Sequence, residues 1–207
     1  MTNSFPRYQG DHAGSVVYDL VNKLSSKYEM HVIYIDYPTP SGVTQNNAEL
    51  FNPHPVKYPY RVYPLSQVHG LMILGLAPLF MDMYMKIRGV LGEYGIDLIH
   101  AHWAVPSGFL ASLCRGTVPL LTTLEGGDIK IYGQKWWVKP LIRHTLAKSA
   151  RTIAISNDLK TQAVKIGAES DKIVVIPDGV DMSEFMPMPK AASRLKTRLP
   201  DDFLVIF

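Results

Sequence analysis

The sequence predicts an α/β fold: a Rossmann-like, doubly wound, mostly parallel sheet with helices on both faces. Two observations carry this expectation. Short strand-like runs alternate along the chain with stretches whose apolar residues recur at helical spacing, the pattern that yields parallel strands joined by crossover helices. The apolar residues of "IDLIHAH" (96–102) also suit a strand buried on both faces.

The elements follow in order. Residues 13–27 place Val16, Val17, Leu20, Val21 and Leu24 on one face, which predicts an amphipathic helix. "MHVIYID" (30–36) and "YRVYPL" (60–65) read as strands, separated by a Pro- and Asn-rich loop from Pro38 to Pro59 that is long enough to be functional or mobile. A helical region from Gln67 to about Glu93 precedes the strand 96–102. Helix 105–115, strand 119–125, helix 135–149, strand 151–156, helix 157–166 and strand 172–177 complete the alternation. Ser156 is placed to cap the helix that follows it, and Gly167 to stop it.

Three segments follow from this layout. Residues 1–185 read as one Rossmann-like domain, 186–202 as a polar, proline-containing linker, and 203–207, "FLVIF", as the first strand of a further domain. At the other end "NSFPRYQGD" resembles the turn after a first strand, yet few residues precede it. The first strand, whose place in such a sheet is central, is therefore expected to be stunted or missing.

Composition narrows the function. The chain has 207 residues, 47% of them hydrophobic, and can bury a core without metal or disulfide. A net charge of +3, spread along the chain, lacks the clustered excess of a nucleic-acid binder, and no nucleic-acid partner is expected. Cys114 lies in the apolar run "FLASLC", so it reads as a core thiol and fits a reducing compartment; a cytoplasmic location is expected. The run "GLMILGLAPLFMDMYM" is interrupted by Pro78 and Asp82 and is too short to span a bilayer, so it reads as a buried or interfacial helix.

Ligands of open parallel sheets bind beyond the carboxyl ends of the strands, and the unusual residues fall there. Gly10, Asp11 and Gly14 flank a helix start, where backbone N–H groups can meet a phosphate; a tight turn with a capping Asp accounts for them equally well. His100 and His102 share one side of their strand and precede Trp103. Packed histidines and sugar-contacting histidines both stay open, and no third ligand at recognisable spacing supports a metal. After strand 119–125, "EGGDIK" places Glu125 and Asp128 around Gly126 and Gly127, suited to acid–base work or to an ordinary braced turn. "IPDGVDMSEF", with Asp178, Gly179 and Asp181, reads as a loop by composition.

Taken together, "FPRYQGD…G", "DLIHAHWAVPSG", "TLEGGDI" and "IPDGVDMSEF" resemble, in this order, the N-terminal half of a family 4 glycosyltransferase of the GT-B fold. The resemblance covers residues 3–207 and implies a retaining enzyme with its active site between two Rossmann-like halves. It implies a nucleotide-sugar donor, a sugar or lipid-linked acceptor, and no cofactor or metal. By that analogy Gly10–Gly14 approaches the donor diphosphate or the acceptor, His100, His102 and Trp103 line the acceptor side, and "PDGVD" lies near the hinge. Glu125, His102 and Asp128 become the candidate catalytic residues, and Gly126 and Gly127 belong to the binding set.

The chain departs from the family pattern in two places. Glu125 stands where the family usually has the histidine of T-x-H-G-x-D, and Asp178 replaces the more usual asparagine. The residues that grip the donor belong to a C-terminal half, without which this half is expected to be inactive. Two alternatives stay open: a non-catalytic half that binds acceptor or pairs with a separate donor domain, and another GT-B enzyme such as a nucleotide-sugar epimerase. Finally, "KIYGQKWWVKPLIRHTLAK" (130–148) mixes cations with tryptophans in a way that suits an anionic membrane surface, a peripheral location at the inner face, or a structural helix with solvated lysines.

Overall fold

The computed structural model describes residues 1–3, 5–6, 11–36, 51–57, 76–182 and 185–198. They divide into two compact units, Met1–Pro177 and Asp178–Phe207.

In the first unit, helix α1 (Ser15–Ser25) turns Val17 and Val21 inward. They meet Val32 on one face of strand β1 (His31–Asp36), together with Phe5 and Phe51. Ile33 and Ile35 point through the other face onto Leu79, Met83 and Ile87 of helix α2 (Ala77–Glu93). A strand covered on both sides by helices is the doubly wound arrangement expected from the alternation of elements. Helix α2 begins with Ala77 and Pro78, so the proline that interrupts the apolar run in the sequence serves as a helix start. Among the described residues no helix is long and apolar enough to cross a membrane.

Strand β2 (Asn52–Lys57) pairs in parallel with β1 inside the stretch expected to be a loop. Two prolines hide it from a propensity reading. The N–H of Asn52 donates to the Met30 carbonyl at 2.7 Å, so residues 52, 54 and 56 face β1. Pro53 and Pro55 face the opposite edge, where neither needs to donate, one of the few positions a proline can take within a strand.

Four further strands, β3 (Ile99–His102), β4 (Leu120–Leu124), β5 (Arg151–Ala154) and β6 (Ile173–Val175), form a parallel sheet in that order. Helices α3 (Phe109–Cys114), α4 (Gly127–Lys130), α5 (Lys139–Lys148) and α6 (Asn157–Ile166) lie between them in sequence. The expected helix 105–115 shortens to α3 because Val105 precedes Pro106 and is held extended (φ −140°, ψ 135°). Likewise α5 starts only at Lys139, with Pro140 in its first turn. In α6 the Ser156 hydroxyl accepts the N–H of Leu159 at 3.2 Å, and Gly167 closes the helix at φ 117°, both as the sequence indicates.

Met1 and Thr2 join the two sheets. The N–H of Thr2 donates to the Ile33 carbonyl (3.0 Å), and Thr2 bridges Tyr34 in parallel. On the other side the Met1 amine donates to the His100 carbonyl (2.7 Å), and the His102 N–H donates to the Met1 carbonyl (2.9 Å). Residues 1–2 therefore occupy the central place expected of a first strand.

In the second unit the Phe185 N–H donates to the Asp181 carbonyl at 2.8 Å, and helix α7 (Lys190–Thr197) forms within the stretch expected to be a linker. The expected strands 60–65 and 203–207 lie outside the described residues.

Met83 is wholly buried between α2 and the β1–β2 pair. Met83→Ala is expected to lower unfolding free energy by about 2–5 kcal/mol in a denaturant titration.

Candidate active site at the sheet's carboxyl rim

The parallel register sets His100 beside Leu121 and His102 beside Thr123. Each imidazole reaches two residues further along the neighbouring chain. His100 Nε2 lies 2.7 Å from Thr123 Oγ1, and His102 Nδ1 lies 2.7 Å from Glu125 Oε1, just past the end of β4. The rings are 4.4 Å apart, on the shared face that strand alternation requires.

These histidines are not exposed at a strand mouth. Both are largely buried, and burial is the first cause that holds His100 down at about 2 and His102 at about 3. The mutual His102 charge and the nearby Met1 amine push His100 further, and the amine acts on His102 as well. The buried Met1 amine itself is lowered to about 5. Both imidazoles are therefore neutral at pH 7. Burial raises the Glu125 carboxyl, which keeps partial access to solvent. A neutral His102 that donates its Nδ1–H to the Glu125 carboxylate presents Nε2 as an acceptor.

Asp128 holds the turn that carries Glu125. Its side chain is fully buried and accepts three backbone N–H groups: Ala104 to Oδ2 (3.0 Å), Gly126 to Oδ1 (3.0 Å) and Ile129 to Oδ1 (3.1 Å). Burial raises its pKa to about 6; the Glu125 charge adds to the rise and the three N–H donors counter it. Of the two sequence-based readings of this carboxylate, bracing is the one its contacts fit, and it ties the β3 and β4 termini into one piece.

Trp103 links the same two loops. Its backbone lies at φ 76°, a left-handed value costly for an indole-bearing residue, fixed by its N–H to the Thr123 carbonyl (2.9 Å) and by the Gly108 N–H to its own carbonyl (3.0 Å). The indole lies on Gly127, where a Cβ would come within 2.9 Å of the ring, and 5.7 Å from the Tyr132 ring. These contacts of the ring are with protein. Gly126, at φ 101°, supplies the bend that L side chains rarely adopt.

The structure thus brings together His100, His102, Trp103, Glu125, Gly126, Gly127 and Asp128. Asp11 and Gly14 precede α1, where the Ala13 N–H donates to Asp11 Oδ1 (3.2 Å) and Gly14 takes φ 73°. Gly10 lies outside the described residues, and Asp178, Gly179 and Asp181 belong to the second unit. An open groove of about 660 Å³ lies elsewhere, lined by His54, Lys57, Asp82, Lys86 and Glu93 among others, and includes none of the rim residues. Among the described residues no group of three His, Cys, Asp or Glu converges on a metal position. The sequence pattern did not single out Thr123; its signal is the two-residue spacing to Glu125, which sets both on the face the histidines use.

This lobe is the N-terminal Rossmann-like half of a GT-B glycosyltransferase fold. Across residues 13–184 it matches the model of Glycosyltransferase Family 4, and the chain belongs to that family. It is 30% identical over 107 residues to a Bacillus subtilis glycosyltransferase assigned to teichuronic acid biosynthesis, covering 50% of this chain and 27% of that protein. Against the N-acetyl-alpha-D-glucosaminyl L-malate synthase of Bacillus anthracis it is 23% identical over 130 residues, 58% of this chain and 34% of that one. Among solved structures, sucrose-phosphate synthase from Thermosynechococcus elongatus superposes with a TM-score of 0.64 at 15% identity, covering 95% of this chain and 50% of that one. Anabaena HepE in complex with UDP and glucose gives 0.53 at 14%, covering 95% and 48%. The chain spans about half the length of these structures, and its matches cover about a third or less of the curated relatives.

The rim geometry makes two outcomes measurable. His100 and His102 take up protons near pH 6.5 when unfolded but stay neutral when folded, so the stability they contribute is present above pH 6.5 and is lost as pH falls. Asp128 works in the opposite sense, favouring the fold below about 3.8 and losing that contribution as pH rises through about 6. His100→Gln is expected to make the acid-side loss shallower by about 1.4 kcal/mol per pH unit in urea titrations between pH 6.5 and 4.5. Gly127→Ala, by displacing the Trp103 ring, is expected to cost about 1–3 kcal/mol and to change the near-UV circular dichroism of the indole.

Proposed function

We propose that this chain is the acceptor-side half of a retaining glycosyltransferase that moves a sugar from a nucleotide-sugar donor to a glycan or lipid-linked acceptor at the cytoplasmic face of a membrane. The observation that carries the reading is the rim itself. A neutral imidazole, a carboxylate on a glycine bend and the buried brace beneath them converge at the carboxyl ends of β3 and β4, where ligands of open parallel sheets bind. Family membership and the likeness to HepE bound to UDP and glucose support a UDP-sugar as the first donor class to test.

In this reading the donor is gripped by a second lobe, and the rim faces the reacting sugar. The acceptor hydroxyl forms a bond to the anomeric carbon as the bond to the nucleotide diphosphate breaks on the same face. The diphosphate leaves with that electron pair, and a phosphate oxygen takes the hydroxyl proton. The protein supplies orientation and hydrogen bonds. His102 Nε2 accepts from a sugar hydroxyl, Glu125 fixes the imidazole and orders the hydroxyls, and Asp128 acts as a positioning residue. Glu125 carries a negative charge toward a diphosphate, and the Nδ1–H of His102 offsets part of it.

The test is turnover of UDP-sugars by the two-lobed enzyme. His102→Ala is expected to lower kcat at least tenfold with a smaller change in KM, and Glu125→Gln to alter the acid limb of the pH profile. Unchanged rates in both variants would remove these residues from the site.

A further inference from the structure

Beyond the rim residues, the most unusual side chain is Trp136, which is 85% exposed, next to a half-buried Trp137 packed on the core. Exposed Ile131 lies five residues before it, across the turn Tyr132–Gln134. The backbone around the indole is hydrogen-bonded: the Lys135 N–H donates to the Tyr132 carbonyl, and the Val138 and Lys139 N–H groups donate to the Lys135 carbonyl (all 3.0 Å). The exposure therefore belongs to an ordered corner.

That corner is cationic. From Lys130 to Lys148 the chain carries Lys130, Lys135, Lys139, Arg143 and Lys148 and no carboxylate. Asp158 offsets Lys130 in a 2.7 Å surface pair, and Arg143 donates to the Ile166 carbonyl, which leaves Lys135 and Lys139 as the cations flanking the indole. The corner also has a direction. The chain leaves β4 at Leu124, passes Glu125 and Asp128, reaches Trp136, and only then returns along α5 toward the start of β5 at Arg151. Trp136 therefore lies on the same excursion between β4 and β5 as Glu125.

We propose that Ile131, Lys135, Trp136 and Lys139 form a docking face for an anionic lipid bilayer. An indole is amphipathic and settles at headgroup depth, and flanking lysines gain from the negative surface while their stems cover apolar area. A single exposed aromatic between two cations at a turn suits a lipid surface better than a protein partner, which would be met by a broader apolar patch. The proposal deepens the function above and rests on it for one point: docking here holds the candidate site beside the headgroups, where a lipid-linked acceptor presents its sugar.

The experiment is cosedimentation of the 207-residue chain with phosphatidylcholine vesicles, with and without phosphatidylglycerol. Binding is expected only with phosphatidylglycerol and at low salt. Lys135→Ala and Lys139→Ala are each expected to weaken it about fivefold, the factor that roughly 1 kcal/mol per cation implies. Trp136→Ala is expected to weaken it about tenfold with unchanged circular dichroism, since the side chain touches little of the core. No sedimentation at low salt overturns the proposal. So does binding indifferent to Trp136→Ala, which would mark a general polyanion surface, and equal sedimentation with neutral vesicles. UDP-sugar turnover by the two-lobed enzyme with a soluble acceptor separates the two ideas: binding without turnover sinks the enzyme reading alone, and turnover without binding sinks the docking face alone.

Discussion

The rim depends on one buried carboxylate. Asp128 gathers N–H groups from Ala104, Gly126 and Ile129, so two loops from neighbouring strands share a single acceptor. Each N–H would otherwise be a buried donor in need of a partner, at a cost of about 1–3 kcal/mol if left without one. Strand ends are ordinarily the loosest part of a sheet. Here the carboxylate, the Trp103–Thr123 hydrogen bond and the indole over Gly127 convert two of them into a rigid mount. The His102–Glu125 pair draws its geometry from that mount together with the ladder of β3, where the His102 N–H is also held by the Met1 carbonyl.

Much of this was legible in the sequence, and the reasons are particular. Alternation places His100 and His102 on one face whatever the surroundings, and the rings do lie 4.4 Å apart. Ser156 and Gly167 mark α6 because capping is a local interaction between near neighbours. Motif order located the family because glycine bends and strand-end polar residues survive as short local strings, and the matched region spans 13–184.

What escaped the sequence depended on partners distant along the chain. Strand β2 exists because β1 lies beside it and because its prolines fall on the far edge, which no local propensity encodes. The burial of His102 follows from its covering neighbours, so the sequence left packed and sugar-contacting readings open, and only the fold shows the imidazole desolvated and neutral. The spacing of Glu125 and Asp128 suited acid–base work or an ordinary braced turn alike, and it is the turn that directs one carboxylate into the protein and leaves the other near the surface. Spacing told of proximity; only the turn told of direction.

The prolines of β2 carry a consequence for the protein in a crowded solution. On the edge turned away from β1, Pro53 and Pro55 present carbonyl acceptors without amide hydrogens. A foreign strand laid along those positions finds acceptors with no matching donors, so a ladder between molecules cannot propagate through them. Among the described residues no strand pairs with that edge, and the same two residues that obscure the strand from a propensity reading leave it without the donors that fibril-like stacking of copies would need.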